Sequence, residues 1–174
     1  IEEHKVFFER GIKMIFICDD YAQKKRLMFH PKHFVEFIEP AYKLIAENAH
    51  KYDAHFFVHS DGDLTDSFPS MVRAGVDAAE PLEHEEGNDI KELKERFGDK
   101  ITLMGGVPAS DALCVGTVED TIRYTKECIL HAAEGGGFIL GQGANLLGSS
   151  RIENVQAMLQ ATKKYGVYPI KKKY

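Results

Sequence analysis

The feature that most constrains the fold is a regular alternation of short apolar runs with stretches of helical periodicity. Five runs have the length of a strand, and each ends in acidic, polar or glycine residues. The five predicted strands are Lys13–Cys18, Ala54–Val58, Asp77–Glu80, Ile101–Met104 and Phe138–Leu140. Strand–helix alternation with short loops predicts a parallel sheet with right-handed crossovers, either doubly wound or closed into a (β/α) barrel.

Helix signals fill the segments before, between and after the predicted strands. Helices are predicted over residues 1–10, from Pro31 onward, and over 67–74, 88–97, 117–133 and 150–165. Pro40 should kink or split the second helix, because proline removes a backbone donor. Asn88 is the predicted cap of the fourth helix, and Thr117–Asp120 and Ser150–Glu153 fit the capping-box pattern.

A barrel is favoured over a doubly wound sheet. A dinucleotide-binding sheet should carry G-x-G-x-x-G between a strand and a helix, and no such fingerprint follows a predicted strand. A complete (β/α)8 barrel takes about 200–250 residues and eight strands, whereas this chain of 174 residues offers five. The prediction is a single partial domain over residues 1–174, an α/β portion of a (β/α)8 TIM barrel whose first strands are missing.

The composition bears on possible partners and compartment. The formal net charge of −5 gives no electrostatic reason to expect nucleic acid. The basic run Lys171–Lys173 is typical of a solvated terminus. No apolar run approaches the roughly 18–20 residues that cross a bilayer, so no membrane is expected as a partner. Cys18, Cys114 and Cys128 form no CxxC pair or disulfide framework, which favours a reducing, cytoplasmic compartment.

The most informative polar stretch is His59-Ser60-Asp61-Gly62, which follows the second predicted strand. In a barrel the residues after each strand face one end, the mouth, where active sites lie. His59 and Asp61 are candidate catalytic residues, and both project to one side if the strand continues between them. They could act as metal ligands, or as an imidazole oriented by a carboxylate. Asp61-Gly62 is equally compatible with a simple turn.

Other strand ends supply further candidates. Asp19 and Asp20 follow the first strand and could hold a cation, contact a polar substrate, or cap a turn. Glu80 is a carboxylate where a strand is expected to be apolar. This favours a functional role, because burying an unpaired carboxylate is costly. Tyr21 and Gln142 also lie at strand ends.

An ordered series of short motifs resembles the uroporphyrinogen decarboxylase superfamily. The motifs are Asp19-Asp20, His59-Ser60-Asp61-Gly62, Ala74-Gly75-Val76-Asp77, Phe97-Gly98-Asp99-Lys100, Met104-Gly105-Gly106 and Gly137-Phe138-Ile139-Leu140. No single motif is distinctive, but their order and spacing together are fairly specific. The resemblance extends over nearly all of the chain and implies about five βα units, the C-terminal half of that family's barrel.

The resemblance implies, first, decarboxylation of a carboxylated tetrapyrrole in porphyrin biosynthesis, a lyase reaction without a cofactor. Asp20 and Gln142 match substrate-contacting positions that are serine and histidine in the decarboxylases, and both depart from that pattern. Together with Asp19 and Tyr21 they are the expected substrate contacts of this half. The arginines, aspartate and tyrosine of that chemistry belong to the N-terminal half of the family's barrel.

The alternative that the resemblance implies is methyl transfer between a corrinoid protein and a thiol. Enzymes of this branch bind zinc through His-x-Cys and a later cysteine. His59 matches the first ligand, whereas Asp61 and Gln142 replace both cysteines. In this alternative the metal ligands are His59, Asp61 and Glu80, the cofactor is zinc, and a partner protein carries the corrinoid.

A third interpretation follows from the missing strands. The complete barrel would be an enzyme acting on a small molecule, and this chain alone would be an inactive fragment. A partial barrel leaves two open sheet edges and an uncovered interior face, which invite association. We therefore expect a homodimer, or association with the missing N-terminal half.

Overall fold

A computed structural model describes residues 1–143 and 145–171, and its frame is a five-stranded parallel sheet. The strands are β1 (Met14–Cys18), β2 (Ala22–Gln23), β3 (Arg26–Leu27), β4 (His55–His59), β5 (Ala78–Glu80), β6 (Thr102–Val107) and β7 (Phe138–Gln142). The five predicted strands are confirmed as β1, β4, β5, β6 and β7, whereas the antiparallel β2–β3 ribbon was not predicted. The last two residues of the basic run Lys171–Lys173 lie outside the described ranges.

Helices alternate with the strands of the sheet along the chain, beginning with α1 before β1. They are α1 (Glu2–Glu9), α2 (Pro31–His33), α3 (Glu39–His50), α4 (Phe68–Ala74), α5 (Ile90–Phe97), α6 (Val118–Ala132) and α7 (Ile152–Tyr165). Further segments are π-helical at Phe34–Ile38 and Ala109–Cys114 and 3-10 helical at His84–Glu86. Within the described part of the chain, no helix combines the length and the apolar character that a membrane crossing requires.

The strand order distinguishes a barrel from a doubly wound sheet. In a doubly wound sheet the order reverses at a switch point, and helices lie on both faces. Here the five strands follow one another in chain order without reversal, and each neighbouring pair is parallel. Phe56 and Leu103 on the helix side are buried, whereas Phe16 and Ile139 on the opposite side are exposed. The fold is therefore α/β with a parallel sheet of the partial-barrel type, as predicted.

The predicted interruption at Pro40 takes the form of a π-helical segment. The chain is α-helical over Pro31–His33, π-helical over Phe34–Ile38, and α-helical again from Glu39. Pro40 then lies in the first turn of α3, where a helix requires no donor from the backbone nitrogen.

The predicted cap of α5 is wrong by one residue. Asp89, not Asn88, caps the helix, because the Asp89 carboxylate accepts hydrogen bonds from the backbone nitrogens of Lys91 and Glu92. Asn88 is instead fully buried, and its side chain bonds to loops at the carboxyl end of the sheet.

Of the two predicted capping boxes, one is confirmed. Thr117 Oγ1 accepts from the backbone nitrogen of Asp120, and Asp120 Oδ2 accepts from the backbone nitrogen of Thr117, at the start of α6. The second is wrong, because α7 begins after Arg151, which makes no capping bond. The Arg151 side chain instead donates to Glu153, so this carboxylate is paired with a guanidinium.

The face of the sheet opposite the helices is open to solvent. Phe16 and Phe57 are in register on this face, as are Met104 and Ile139, and Phe16 keeps 43% of its surface exposed. In a closed barrel such side chains fill the interior. In the described sheet β1 and β7 are the edge strands, and edge strands together with an open apolar face favour association.

Phe16→Asp should reduce self-association of the chain, because it places a charge in the open apolar face. In multi-angle light scattering we expect the wild-type mass to rise with concentration and the Phe16→Asp mass to shift toward the monomer. Phe37→Asp is the matched control, since Phe37 is more exposed, at 66%, but lies in the helical layer. A monomeric wild-type chain, or an equal effect of both substitutions, would contradict this role of the open face.

Candidate functional site

The carboxyl ends of β1, β4 and β5 converge on one histidine. The parallel register pairs Cys18 with His59, and His59 with Glu80. Paired residues on neighbouring parallel strands project to the same face of the sheet. His59, the last residue of β4, is therefore flanked by the last residue of the strand on each side.

The imidazole of His59 is held by Glu80. His59 Nδ1 donates a hydrogen bond to Glu80 Oε1, and only 15% and 16% of the two side chains is exposed. A carboxylate on Nδ1 favours the tautomer that carries its proton there, which leaves the Nε2 lone pair free to bind a cation. Glu80 thus orients His59 from the side opposite its free nitrogen.

Two further carboxylates face the free nitrogen. Asp20 Oδ1 lies 3.5 Å, and Asp61 Oδ1 3.8 Å, from His59 Nε2. Among the described residues, one ligand atom from each of these three side chains lies within 4.8 Å of the other two. We call Asp20, His59 and Asp61, with Glu80 behind them, the His59 cluster. One imidazole nitrogen and two carboxylate oxygens form a suitable donor set for a divalent cation.

The chain after β1 is folded so that Asp20 reaches the cluster. Asp20 has a left-handed backbone conformation, with φ of 42°, which aspartate adopts more readily than most residues. Its Oδ1 accepts a hydrogen bond from the backbone nitrogen of Asp61 at 3.1 Å. Ser60 Oγ accepts from the backbone nitrogen of Tyr21 at 3.0 Å. These bonds fix the loop leaving β1 against the loop leaving β4.

The Asp61-Gly62 pair forms a tight turn as well as part of the site. Gly62 has φ of 91°, and a Cβ there would lie 2.4 Å from the backbone nitrogen of Gln23. The β2–β3 ribbon therefore packs directly on the loop after β4, which requires glycine. Gly62 makes the turn while the Asp61 side chain faces His59. The dipeptide is therefore both a turn and a part of the cluster.

Asp19 and Tyr21, two predicted substrate contacts, are placed away from the cluster. Asp19 Oδ2 accepts a hydrogen bond from the hydroxyl of Tyr42 at 2.7 Å, on the helical side. Tyr21 is buried, its ring lies edge-on to Phe34, and its hydroxyl is 3.4 Å from Ser67 Oγ. Burial is the main cause that raises the pKa of Tyr21 and of Tyr42, so both hydroxyls stay neutral. The Tyr21 side chain belongs to the core rather than to the mouth.

Glu80 and Gln142 lie away from the Nε2 side of His59. Glu80 was expected to ligate a metal beside His59 and Asp61, but its carboxylate bonds to the opposite ring nitrogen. Asp20 occupies the ligand side instead. Gln142 ends β7, and β5 and β6 lie between it and β4 in the sheet. The structure therefore separates Gln142 from His59 by two strands.

Asn88 joins the loops around the site, a role that the sequence did not indicate. Its Oδ1 accepts from the backbone nitrogen of Leu64 at 3.0 Å. Its Nδ2 donates to the carbonyl oxygens of Gly62 at 2.9 Å and Glu83 at 3.2 Å. One buried amide thus connects the loop after β4 with the loop after β5. The signal in the sequence was a polar residue beside a helix start, which is equally typical of a cap.

The acidic loop after β5, Glu83–Glu86, is partly buried, although its charge suggests solvated surface. Glu83 is buried, and its Oε1 accepts from the backbone nitrogen of Ala109 at 2.9 Å. Glu85 Oε1 is buried without a hydrogen-bond partner in the described part of the chain. Burial, followed by the neighbouring carboxylates of Glu83 and Asp111, raises the pKa of Glu85 to about 8. Glu85 is therefore substantially protonated at neutral pH.

A cavity adjoins the His59 cluster at the mouth. Its volume is about 270 Å³, and it is lined by Asp61, Gly62, Pro81, Glu83, Glu86 and Gly143. Half of these residues carry carboxylates, and the cluster itself adds Asp20 and Glu80. The described part of the mouth is therefore electronegative, which favours cations over anionic ligands.

The histidine–carboxylate cluster lies at the carboxyl end of a parallel sheet of the partial-barrel type, the end at which (β/α)8 barrels carry their active sites. The family model described as uroporphyrinogen decarboxylase (URO-D) matches residues 1–165. The chain belongs to this family, as its motifs suggested.

The similar proteins include methyltransferase matches from Methanosarcina mazei and an aldolase. The methylated-thiol–coenzyme M methyltransferase of Methanosarcina mazei is 22% identical over 153 residues, which cover 88% of this chain and 38% of that protein. The solved structure of a methyltransferase from Methanosarcina mazei has a TM-score of 0.73 and 23% identity, covering 91% of this chain and 44% of that one. An HpcH/HpaI aldolase from Desulfitobacterium hafniense DCB-2 has a TM-score of 0.52 and 11% identity, covering 95% and 70%. The chain thus shares their fold and spans less than half the length of the methyltransferases.

Glu85→Gln should remove a pH dependence from the stability of the chain. The folded-state pKa of Glu85 is about 8, above the ordinary 4.5, so between these values the folded state binds the extra proton. The free energy of unfolding should therefore fall as the pH rises from about 4.5 through about 8. In Glu85→Gln this fall should be smaller, and the variant should exceed the wild type in stability above that range.

Denaturant unfolding at about pH 5, 7 and 9 measures the effect. Glu86→Gln, which removes a carboxylate from the same loop, is the matched control and should keep the wild-type profile. Identical pH profiles for the wild type and Glu85→Gln would be the contrary result.

Proposed function

We propose that this chain supplies one wall of the active site of a metal-dependent methyltransferase that transfers a methyl group to a thiol. The observation that carries the proposal is the His59 cluster, in which His59 Nε2 faces Asp20 and Asp61 while Glu80 holds the other nitrogen. The relatives add support, because the curated protein at 22% identity is named as a methyltransferase of methylated thiols and coenzyme M. The substrate in this proposal is a small thiol.

The residues present fit a divalent cation. Asp20, His59 and Asp61 would hold it, and Glu80 would keep His59 in the ligating tautomer. When bound, such a cation stabilises a coordinated thiol as the nucleophilic thiolate. The Asp20 and Asp61 side chains are exposed, which leaves a substrate thiol access to the ligand side of His59. The set contains none of the cysteines that bind zinc in the methyltransferase branch.

The methyl donor in this proposal is a corrinoid carried by a partner protein, as the resemblance to the methyltransferase branch implies. The described mouth is open on the side of the free β1 and β7 edges. The remainder of the barrel would close this side and complete the pocket. We therefore expect the chain alone to bind the metal but to be inactive in methyl transfer.

Decarboxylation of a tetrapyrrole, the first function that the resemblance implied, has less support. The substrate of that reaction bears several acetate carboxylates, and like charges repel at a shared site. The described mouth presents Asp20, Asp61 and Glu83. The cations that such a substrate requires would have to come from outside this chain.

His59→Ala should abolish metal binding at the cluster, because it removes the nitrogen ligand. We expect the wild-type chain to retain about one equivalent of a divalent cation after dialysis, measured by elemental analysis, and His59→Ala to retain almost none. His55→Ala is the matched control, since His55 lies at the other end of β4 and is exposed. Metal retained by His59→Ala, or a wild-type chain without metal, would count against the proposal. In the complete barrel the same substitution should abolish methyl transfer from a methylated corrinoid protein to a thiol.

Glu80→Gln should weaken metal binding without removing a ligand. The amide cannot supply the negative charge that raises the basicity of His59, so the affinity should fall by about 10–100-fold. Calorimetric titration of the chain with a divalent cation measures the change. Glu83→Gln, at a carboxylate that bonds to a backbone nitrogen instead of to His59, is the control and should bind within about threefold of the wild type. An unchanged affinity in Glu80→Gln would refute the orienting role.

A further inference from the structure

We propose that the His59 cluster is a nitrogen–oxygen site that lacks the zinc preference of thiolate sites, and that Asp61 is the residue that removes this preference. The proposal names the class of cation for the proposed function and rests on the same cluster holding the metal. It predicts a site open to Mn²⁺, Fe²⁺ or Co²⁺ as well as to zinc.

The ligand atoms of the cluster are nitrogen and oxygen. Among the described His, Cys, Asp and Glu side chains, the group whose ligand atoms lie within 4.8 Å of one another consists of Asp20, His59 and Asp61. Cys18 is paired with His59 in the strand register, yet it does not belong to this group. Cys128 is buried on α6 and does not belong to this group either. The described site therefore offers a cation no sulfur.

Ligand type decides which cation such a site prefers. Thiolates select zinc and other soft ions, carboxylates suit Mn²⁺ and similar harder ions, and imidazole accepts both kinds. Two carboxylates and one imidazole therefore lack the additional selectivity for zinc that thiolate ligands provide. The general affinity order still places zinc above Mn²⁺. We therefore expect the wild-type chain to bind zinc more tightly than Mn²⁺, but by a smaller factor than a thiolate site does.

Asp61 is the position where one substitution should give the site a preference for zinc. It lies two residues after His59, and 64% of its side chain is exposed, so a replacement there disturbs no packing. The bond between the two loops runs from the Asp61 backbone nitrogen to Asp20 Oδ1, and it does not use the Asp61 side chain. The loop geometry should therefore survive the change.

The test compares Asp61→Cys with the wild-type chain in competitive titrations with Zn²⁺ and Mn²⁺. The ratio of zinc affinity to manganese affinity should rise at least about tenfold in Asp61→Cys, because a thiolate replaces a carboxylate. With Co²⁺ the wild-type chain should lack thiolate-to-metal charge-transfer absorption, and Asp61→Cys should gain it. Cys18→Ser is the matched control and should leave the wild-type ratio and spectrum unchanged.

An unchanged ratio in folded Asp61→Cys, thiolate absorption in the wild type, or a changed ratio in Cys18→Ser would overturn the inference while the proposed function stands. Failure of the wild-type chain to bind any of the three cations would overturn the proposed function as well. The cobalt spectrum of the wild-type chain tests, without a variant, whether any sulfur ligates the metal. Circular dichroism establishes that each variant is folded before its ratio is used.

Discussion

The parallel register of β1, β4 and β5 is the constraint on which the rest of the site depends. His59 meets Glu80 because the two residues are paired at the ends of adjacent strands. A slip of one residue would turn His59 toward the helix-covered face and separate the pair. Phe56 and Val58, fully buried on that face, oppose the slip, since exposing each would cost about 1.5–3 kcal/mol. The apolar side of β4 thus fixes the geometry of its polar end.

Negative charge accumulates at the carboxyl end of the sheet, and two groups there relieve it in different ways. Glu85 keeps a proton, because burial and its carboxylate neighbours raise its pKa to about 8. The exposed carboxylates of Asp20 and Asp61 face His59 Nε2, while the imidazole proton on Nδ1 is directed to Glu80. A cation would neutralise this second group. A proton on Glu85 and a cation at Asp20 and Asp61 would therefore both reduce the negative charge at this end of the sheet.

The elements with a strong periodic signal could be predicted from the sequence. The apolar runs that became β1, β4 and β6 are rich in branched and aromatic residues, and their alternation with helices defines a parallel sheet. The β2–β3 ribbon has strands of two residues, too short for any periodicity. Asn88 and Asp89 are adjacent polar residues that both suit a helix cap, so only their tertiary contacts separate the two roles.

The sequence predicts which residues lie at the strand ends that form the site. It does not predict which carboxylate faces which nitrogen of His59. Chain order places Asp20, His59, Asp61 and Glu80 at one end of a parallel sheet. Which carboxylate faces which nitrogen depends on the left-handed backbone of Asp20 and on the bond it accepts from the Asp61 backbone. Neither feature has a signature in the sequence. For this reason the sequence alone predicts Glu80 as the ligand on the side of His59 that Asp20 faces.

Asp20 follows β1, whereas His59 ends β4 and Asp61 follows it, and this difference has a mechanical consequence. β1 is an edge strand of the described sheet, held along one side by β4. A cation bound by the loops after β1 and β4 would join the ends of these two strands, next to the Cys18–His59 pair. A ligand that binds only when β1 is paired with β4 stabilises that pairing by mass action. Binding of the metal would therefore oppose the separation of β1 from β4, and separation of β1 would release the metal.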